Sequence, residues 1–164
     1  MEIHPEFPAE GLPRRAFGGP YMRAAEENVQ RLAAECGLTM RSPDPLANTH
    51  CALVAAEFAR DAGLFEPFHR RLFEVYFQEA QNIGQRAVLL ATGREVGLDV
   101  AGLAEALDGG RYEDRLAAAQ EEAGRLGISG IPTFLMEGMW LIGAQPIEML
   151  RRMAERAGAQ RRSV

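Results

Sequence analysis

Gly127-Ile128-Ser129-Gly130-Ile131-Pro132-Thr133-Phe134-Leu135-Met136 decides how the rest of the chain is read. It is a proline turn flanked by glycines that runs straight into an apolar strand, and such a turn can hold a backbone edge open for a ligand. Downstream, Thr133 to Met136 and Met139 to Ile142 are two apolar runs separated only by Glu137-Gly138. Two residues of that type between extended runs read as a β-hairpin turn. Pro146 then starts a closing helix with Ile147, Leu150, Met153 or Ala154, and Ala157 on one stripe and Arg151, Arg152 and Glu155 outside it. Upstream, Tyr112, Leu116, Ala119, Ala123 and Leu126 define an amphipathic helix that stops at Gly127.

The segment before that helix is helical throughout. Asn48 or Thr49 can cap a helix reaching Asp61, in which Ala52, Ala55, Ala56 and Ala59 permit close packing. Phe65, Phe68, Leu72, Val75 and Tyr76 follow at helical spacing and form the bulkiest apolar face of the chain. Two shorter helices span roughly 85–96 and 99–107, the second capped by Asp99. Five consecutive helices between Asn48 and Gly127 make a helical block. Nearer the start, four prolines and three glycines make 5–20 a loop, and Glu2-Ile3-His4 reads as the end of a strand. From Tyr21 to Glu35 an alanine-rich helix places Met22, Ala25, Val29, Leu32 and Cys36 on one stripe, with Gly37 as its stop. Leu38-Thr39-Met40 reads as a short extended piece, and Pro43-Asp44-Pro45 as another loop.

A chain of 164 residues, 47% hydrophobic and 25% charged, suits one globular domain, with room for an insertion. The net charge of -5 argues against a polyanion-binding surface, so nucleic acid is not an expected partner. No apolar run is long enough for a membrane span, and the first residues lack the features of a secretory signal, which places the chain in the cytoplasm. Arg14-Arg15 and Arg161-Arg162 read as solvated basic pairs. His50, Cys51, His69 and Cys36 have no paired ligand spacing, so no metal and no cofactor is expected.

Four strings in register carry a resemblance: Gly127-Ile128-Ser129-Gly130-Ile131-Pro132-Thr133-Phe134; Gly143-Ala144-Gln145-Pro146; Leu72-Phe73-Glu74-Val75-Tyr76-Phe77 with Asn82-Ile83-Gly84; and Ile3-His4-Pro5-Glu6-Phe7-Pro8-Ala9-Glu10-Gly11. Together they resemble the DsbA-like oxidoreductases of the FrnE type over nearly the whole chain. The resemblance implies an α/β, thioredoxin-like fold with an all-helical insertion, thiol-disulfide chemistry, and a cis peptide at Ile131-Pro132. The implied division is 1–47 for the remnant of the N-terminal thioredoxin half, 48–126 for the helical insertion, and 127–164 for the C-terminal half.

The resemblance also marks a departure. In that family a strand and a helix bearing Cys-x-x-Cys precede the region of Ile3-His4-Pro5, so the expected fold is N-terminally truncated, either naturally or because Met1 is an internal start. No Cys-x-x-Cys occurs in the chain, and no catalytic residue is carried over. Disulfide exchange needs a thiolate of lowered pKa and a resolving thiol within reach. Cys36 falls at a helix C-terminus, where the dipole disfavours a thiolate, and Cys51 is a first-turn residue best read as packed.

The expected binding residues are Ile131, Pro132 and Thr133. A proline turn is trans by default, with cis on the order of 5–6%; with the cis bond that the resemblance implies, Ile131 faces outward to pair with an extended peptide or protein thiol substrate. Three functions compete: an oxidoreductase relative unable to run the dithiol cycle as this chain, a glutathione-dependent isomerase or transferase of the kappa-like branch, and a non-catalytic binding or assembly module. A sheet lacking its first strand has an open edge, so a homo-oligomer or a partner chain is expected to complete it.

Overall fold

The computed structural model describes residues 2, 4–16, 19–41 and 43–160, with 20–22 by their backbone alone. The chain divides into two compact units, Met1–Gln120 and Glu121–Val164. The elements are α1 (Pro20–Glu35), α2 (His50–Asp61), α3 (Phe65–Phe77), α4 (Arg86–Glu95), α5 (Val100–Asp108), α6 (Glu113–Arg125), β1 (Thr133–Met136), β2 (Met139–Ile142) and α7 (Ile147–Arg156). The architecture is α/β and rich in helix, and no helix among the described residues is long and apolar enough to cross a membrane.

In the first unit α2 is the central helix, packed against α3, α4 and α5. Its buried positions are nearly all alanine, Ala52, Ala55, Ala56 and Ala59, so neighbouring backbones approach closely and the volume is filled from the other side. That filling comes from Phe68, Leu89 and Leu103, each with no exposed surface, and from Leu72, Val75 and Leu98 around them. The buried Thr92 hydroxyl is satisfied within its own helix, donating to the Val88 carbonyl at 2.9 Å. At the rim of the block, the Tyr112 hydroxyl donates to Asp61 at 3.0 Å, and Arg115 reaches Glu57 at 3.0 Å and Asp61 at 2.9 Å. These bonds clasp α6 to α2.

Side-chain amides fasten the proline-rich start to the block. Asn48 donates to the Phe7 carbonyl at 2.7 Å and accepts from the His50 amide at 2.9 Å, so its carbonyl oxygen serves the first turn of α2. Thr49 holds the capping position without a side-chain bond. Asn82 donates to the Glu10 carbonyl at 3.3 Å, and Asp99 caps α5 by accepting from Ala101 at 3.1 Å. A double backbone bridge joins Leu12 and Leu46 at 2.9 and 2.8 Å.

Several expectations change here. The 5–20 loop contains a 3₁₀ turn at Arg14–Ala16. Thr39 and Met40 belong to no ladder; their segment is irregular backbone tied to α3 where the Arg41 amide donates to the Phe77 carbonyl at 2.6 Å. On α1 the expected stripe is seated only at Leu32, which is partly buried: Ala25 and Cys36 are exposed, Val29 is 39% exposed, and Ala33 is the buried residue. Met22, Ile3 and Arg161-Arg162 lie outside the residues whose side chains are described. The apolar face read on α3 is seated as expected, with Phe65 and Tyr76 packed against the core beside its buried residues. Phe68, Leu72 and Val75 enter the core, while Phe65, His69, Phe73 and Phe77 form a ring ladder with centroid separations of 5.0, 4.8 and 5.7 Å.

The second unit holds the hairpin and α7. β1 and β2 pair antiparallel, Thr133 opposite Ile142 through Met136 opposite Met139. The turn needs left-handed backbone at both central residues, and Glu137 at φ 46° and Gly138 at φ 75° supply it. Phe134, Met136, Met139 and Leu141 are partly buried. The opposite face carries Leu135, Trp140 and Ile142, exposed at 43%, 42% and 53%. Met153 is the buried residue of α7.

Candidate functional site

The turn before β1 is held from both ends. Gly127, at φ 69°, ends α6, and the Ile128 amide bonds back to the Ala123 carbonyl at 2.9 Å in a glycine-terminated helix stop. At the other end the Thr133 hydroxyl donates to the Gly130 carbonyl at 2.7 Å, bracing the loop across its own mouth. The Ile131-Pro132 peptide is cis. The Pro132 carbonyl is already used, accepting from the Gly143 amide at 2.8 Å.

That last bond fixes which backbone groups remain open. In an antiparallel pair hydrogen-bonded and non-bonded positions alternate, so with Pro132 opposite Gly143 bonded, Phe134 and Met136 also face β2. Thr133 and Leu135 therefore direct their amides and carbonyls away from β2. Ile131 shares that parity, is 67% exposed, and makes no backbone hydrogen bond to another described residue. Ile131, Pro132 and Thr133 thus lie together at one end of an open strand edge. The polar atoms there are backbone groups and a hydroxyl already engaged. Such a site can align an extended chain; it offers no acid, base or nucleophile.

The cysteines do not supply one. Both are free thiols; Cys36 is exposed just beyond α1, and Cys51 is partly buried in the first turn of α2. Burial, and then the charges of Glu113, Glu2 and Asp108, push the Cys51 thiol upward, so it stays protonated where a reactive cysteine would be a thiolate. Burial first, and then the carboxylates that folding brings beside it, thus work against a thiolate in this first helical turn. Among the described residues no three His, Cys, Asp or Glu side chains converge as metal ligands.

His50, next to Cys51, joins three parts of the first unit: its Nε2 lies 2.9 Å from Glu113 of α6 and its Nδ1 3.5 Å from Glu2. The hydrogen bond to Glu113 raises its pKa above the usual 6.5, against a smaller lowering from burial. A raised histidine pKa stabilises the fold below the unfolded value, and that contribution is lost as pH climbs through the folded value. Glu113→Gln is therefore expected to bring the His50 titration, followed by imidazole NMR shifts, down toward 6.5. An unchanged titration would show that the pair does not form in solution.

Residues 1–154 match the family described as the DSBA-like thioredoxin domain. The chain belongs to that family. The uncharacterized protein YwbO of Bacillus subtilis is 32% identical over 125 residues, covering 73% of this chain and 61% of that protein, so the chain spans less than two thirds of this relative. A probable DsbA oxidoreductase from Streptomyces coelicolor superposes with a TM-score of 0.83 at 22% identity, covering 100% of this chain and 75% of that one. Among the described residues of this DsbA-like chain, the thioredoxin fold appears as a hairpin and closing helix with a large complement of helices.

Proposed function

We propose that the chain serves thiol-disulfide oxidoreduction as the substrate-docking part of a DsbA-family protein of the FrnE type, with Ile131, Pro132 and Thr133 as the ledge. The substrate is an extended peptide or a protein thiol. The observation that carries this reading is the open edge, with Ile131 67% exposed and the next outward groups on Thr133 and Leu135. Family membership supports the chemical class. These 164 residues contain no Cys-x-x-Cys, and Cys51 is held as a thiol, so by themselves they do not turn over dithiols. In the same reading another copy or a partner chain adds a strand to the open edge of the hairpin.

Three measurements test this. In an insulin-reduction assay with dithiothreitol, the purified chain is expected to leave the rate at its uncatalysed value; acceleration would show that the dithiol cycle runs without Cys-x-x-Cys. Titration of an isotope-labelled sample with an extended serine-for-cysteine peptide is expected to shift the amides of Ile131, Thr133 and Leu135. Shifts elsewhere only would remove the ledge. Sedimentation giving a monomer at every concentration, with no partner bound, would remove the added strand.

A further inference from the structure

A groove of about 660 Å³ in the first unit has a composition at odds with the rest of the chain. Its walls are the 3₁₀ turn, α1, the irregular segment after it and the end of α3. The apolar surface comes from Val29, Met40, Leu46 and Phe77 with the ring of Tyr76. Ala25 and Val29 of the α1 stripe thus line one wall of this cavity.

The charge around this surface is the second observation. The chain carries -5 overall, yet the groove is lined by four arginines and one acidic residue. Arg14 is engaged, ion-paired with Glu26 and donating to the Pro43 carbonyl at 3.4 Å. Arg15, Arg23 and Arg41 are exposed, and among the described residues none has an acidic partner. Three guanidinium groups with no acidic partner among the described residues, set beside apolar surface, make a mixed recognition set. A neutral ligand would leave the guanidinium groups unanswered, and a bare inorganic anion would leave the floor in water. The volume lies within the ~300–1,000 Å³ of small-molecule sites.

We propose that this groove binds a small amphiphilic carboxylate, its apolar body against Val29, Met40 and Phe77 and its head group within reach of Arg15, Arg23 and Arg41. The groove shares no residue with the hairpin ledge, and the proposal does not rest on the function proposed for that ledge. Decanoate below its micellar concentration is the probe, titrated calorimetrically into the full chain. Saturable one-site binding is expected, at least about tenfold tighter than for decyltrimethylammonium, which keeps the body and reverses the head. Arg23→Gln and Arg41→Gln are each expected to weaken it by about three- to tenfold, the range for an exposed charge-assisted contact. Neither side chain is buried, so the helical circular dichroism should stay as it is. Val29→Trp, which fills the groove without touching charge, is expected to abolish binding. Equal affinity for the cationic analogue, insensitivity to both arginine variants together, or decanoate shifts confined to the hairpin would overturn the proposal. So would capture of the chain by phosphatidylglycerol vesicles with no binding of monomeric decanoate.

Discussion

Phe68→Ala is expected to lower the unfolding free energy by about 3–5 kcal/mol, the range for removing a wholly buried aromatic ring. Phe68 has no exposed surface and stands where α3 meets the alanine face of α2. Because Ala52, Ala55, Ala56 and Ala59 have no side chain to swing into the gap, collapse around the cavity is limited, which favours the upper part of the range. Urea titration followed by helical ellipticity reads the change, with Val29→Ala as an exposed control expected within ~0.5 kcal/mol. A loss below about 1 kcal/mol for Phe68→Ala would mean that α2 and α3 do not pack as described.

Gly11→Ala is expected to cost about 2–3 kcal/mol, combining left-handed strain with the loss of backbone bonds. Gly11 sits at φ 92°, and an added Cβ would stand 2.6 Å from the Leu46 carbonyl oxygen. That oxygen accepts from the Leu12 amide, so the methyl group strikes the bridge holding two loops together. Leu46 also lines the arginine-rimmed groove. Decanoate affinity and stability should therefore fall together in Gly11→Ala, whereas Arg41→Gln should lower affinity alone. Wild-type stability in Gly11→Ala would show that the bridge is absent in solution.

What the chain disclosed in advance follows the range of the forces involved. The hairpin was legible residue by residue, because Glu137-Gly138 supplies the two left-handed positions and the flanking apolar runs match in length. The helices from α2 to α6 were legible from apolar spacing, and Asp99 from its place before α5. Readings failed where burial depends on distant segments. The α1 stripe has helical spacing, but what it faces includes the return of Met40, Arg41, Pro43 and Leu46, which nothing local in the sequence specifies. On α3, by contrast, the face from Phe65 to Tyr76 is seated on the core as its spacing implied, and it is His69 and Phe73, one and two turns on from Phe65, that stay exposed. The turn before β1 was legible as punctuation, glycine and proline around Ile131. The groove unites Arg14 and Arg15, the Arg23 to Gln30 face of α1, Met40 and Arg41, Pro43, Leu46, and the end of α3, and its arginines looked like scattered surface charge until the backbone gathered them.

The chain has a single tryptophan, and it stands half uncovered on β2, in the smaller of the two units. Its emission is therefore a private signal from the hairpin, silent about the far more numerous residues whose coiling dominates the ultraviolet ellipticity. Any chain laid across Leu135 and Ile142 would shelter that indole from a dissolved quencher while leaving the ellipticity untouched.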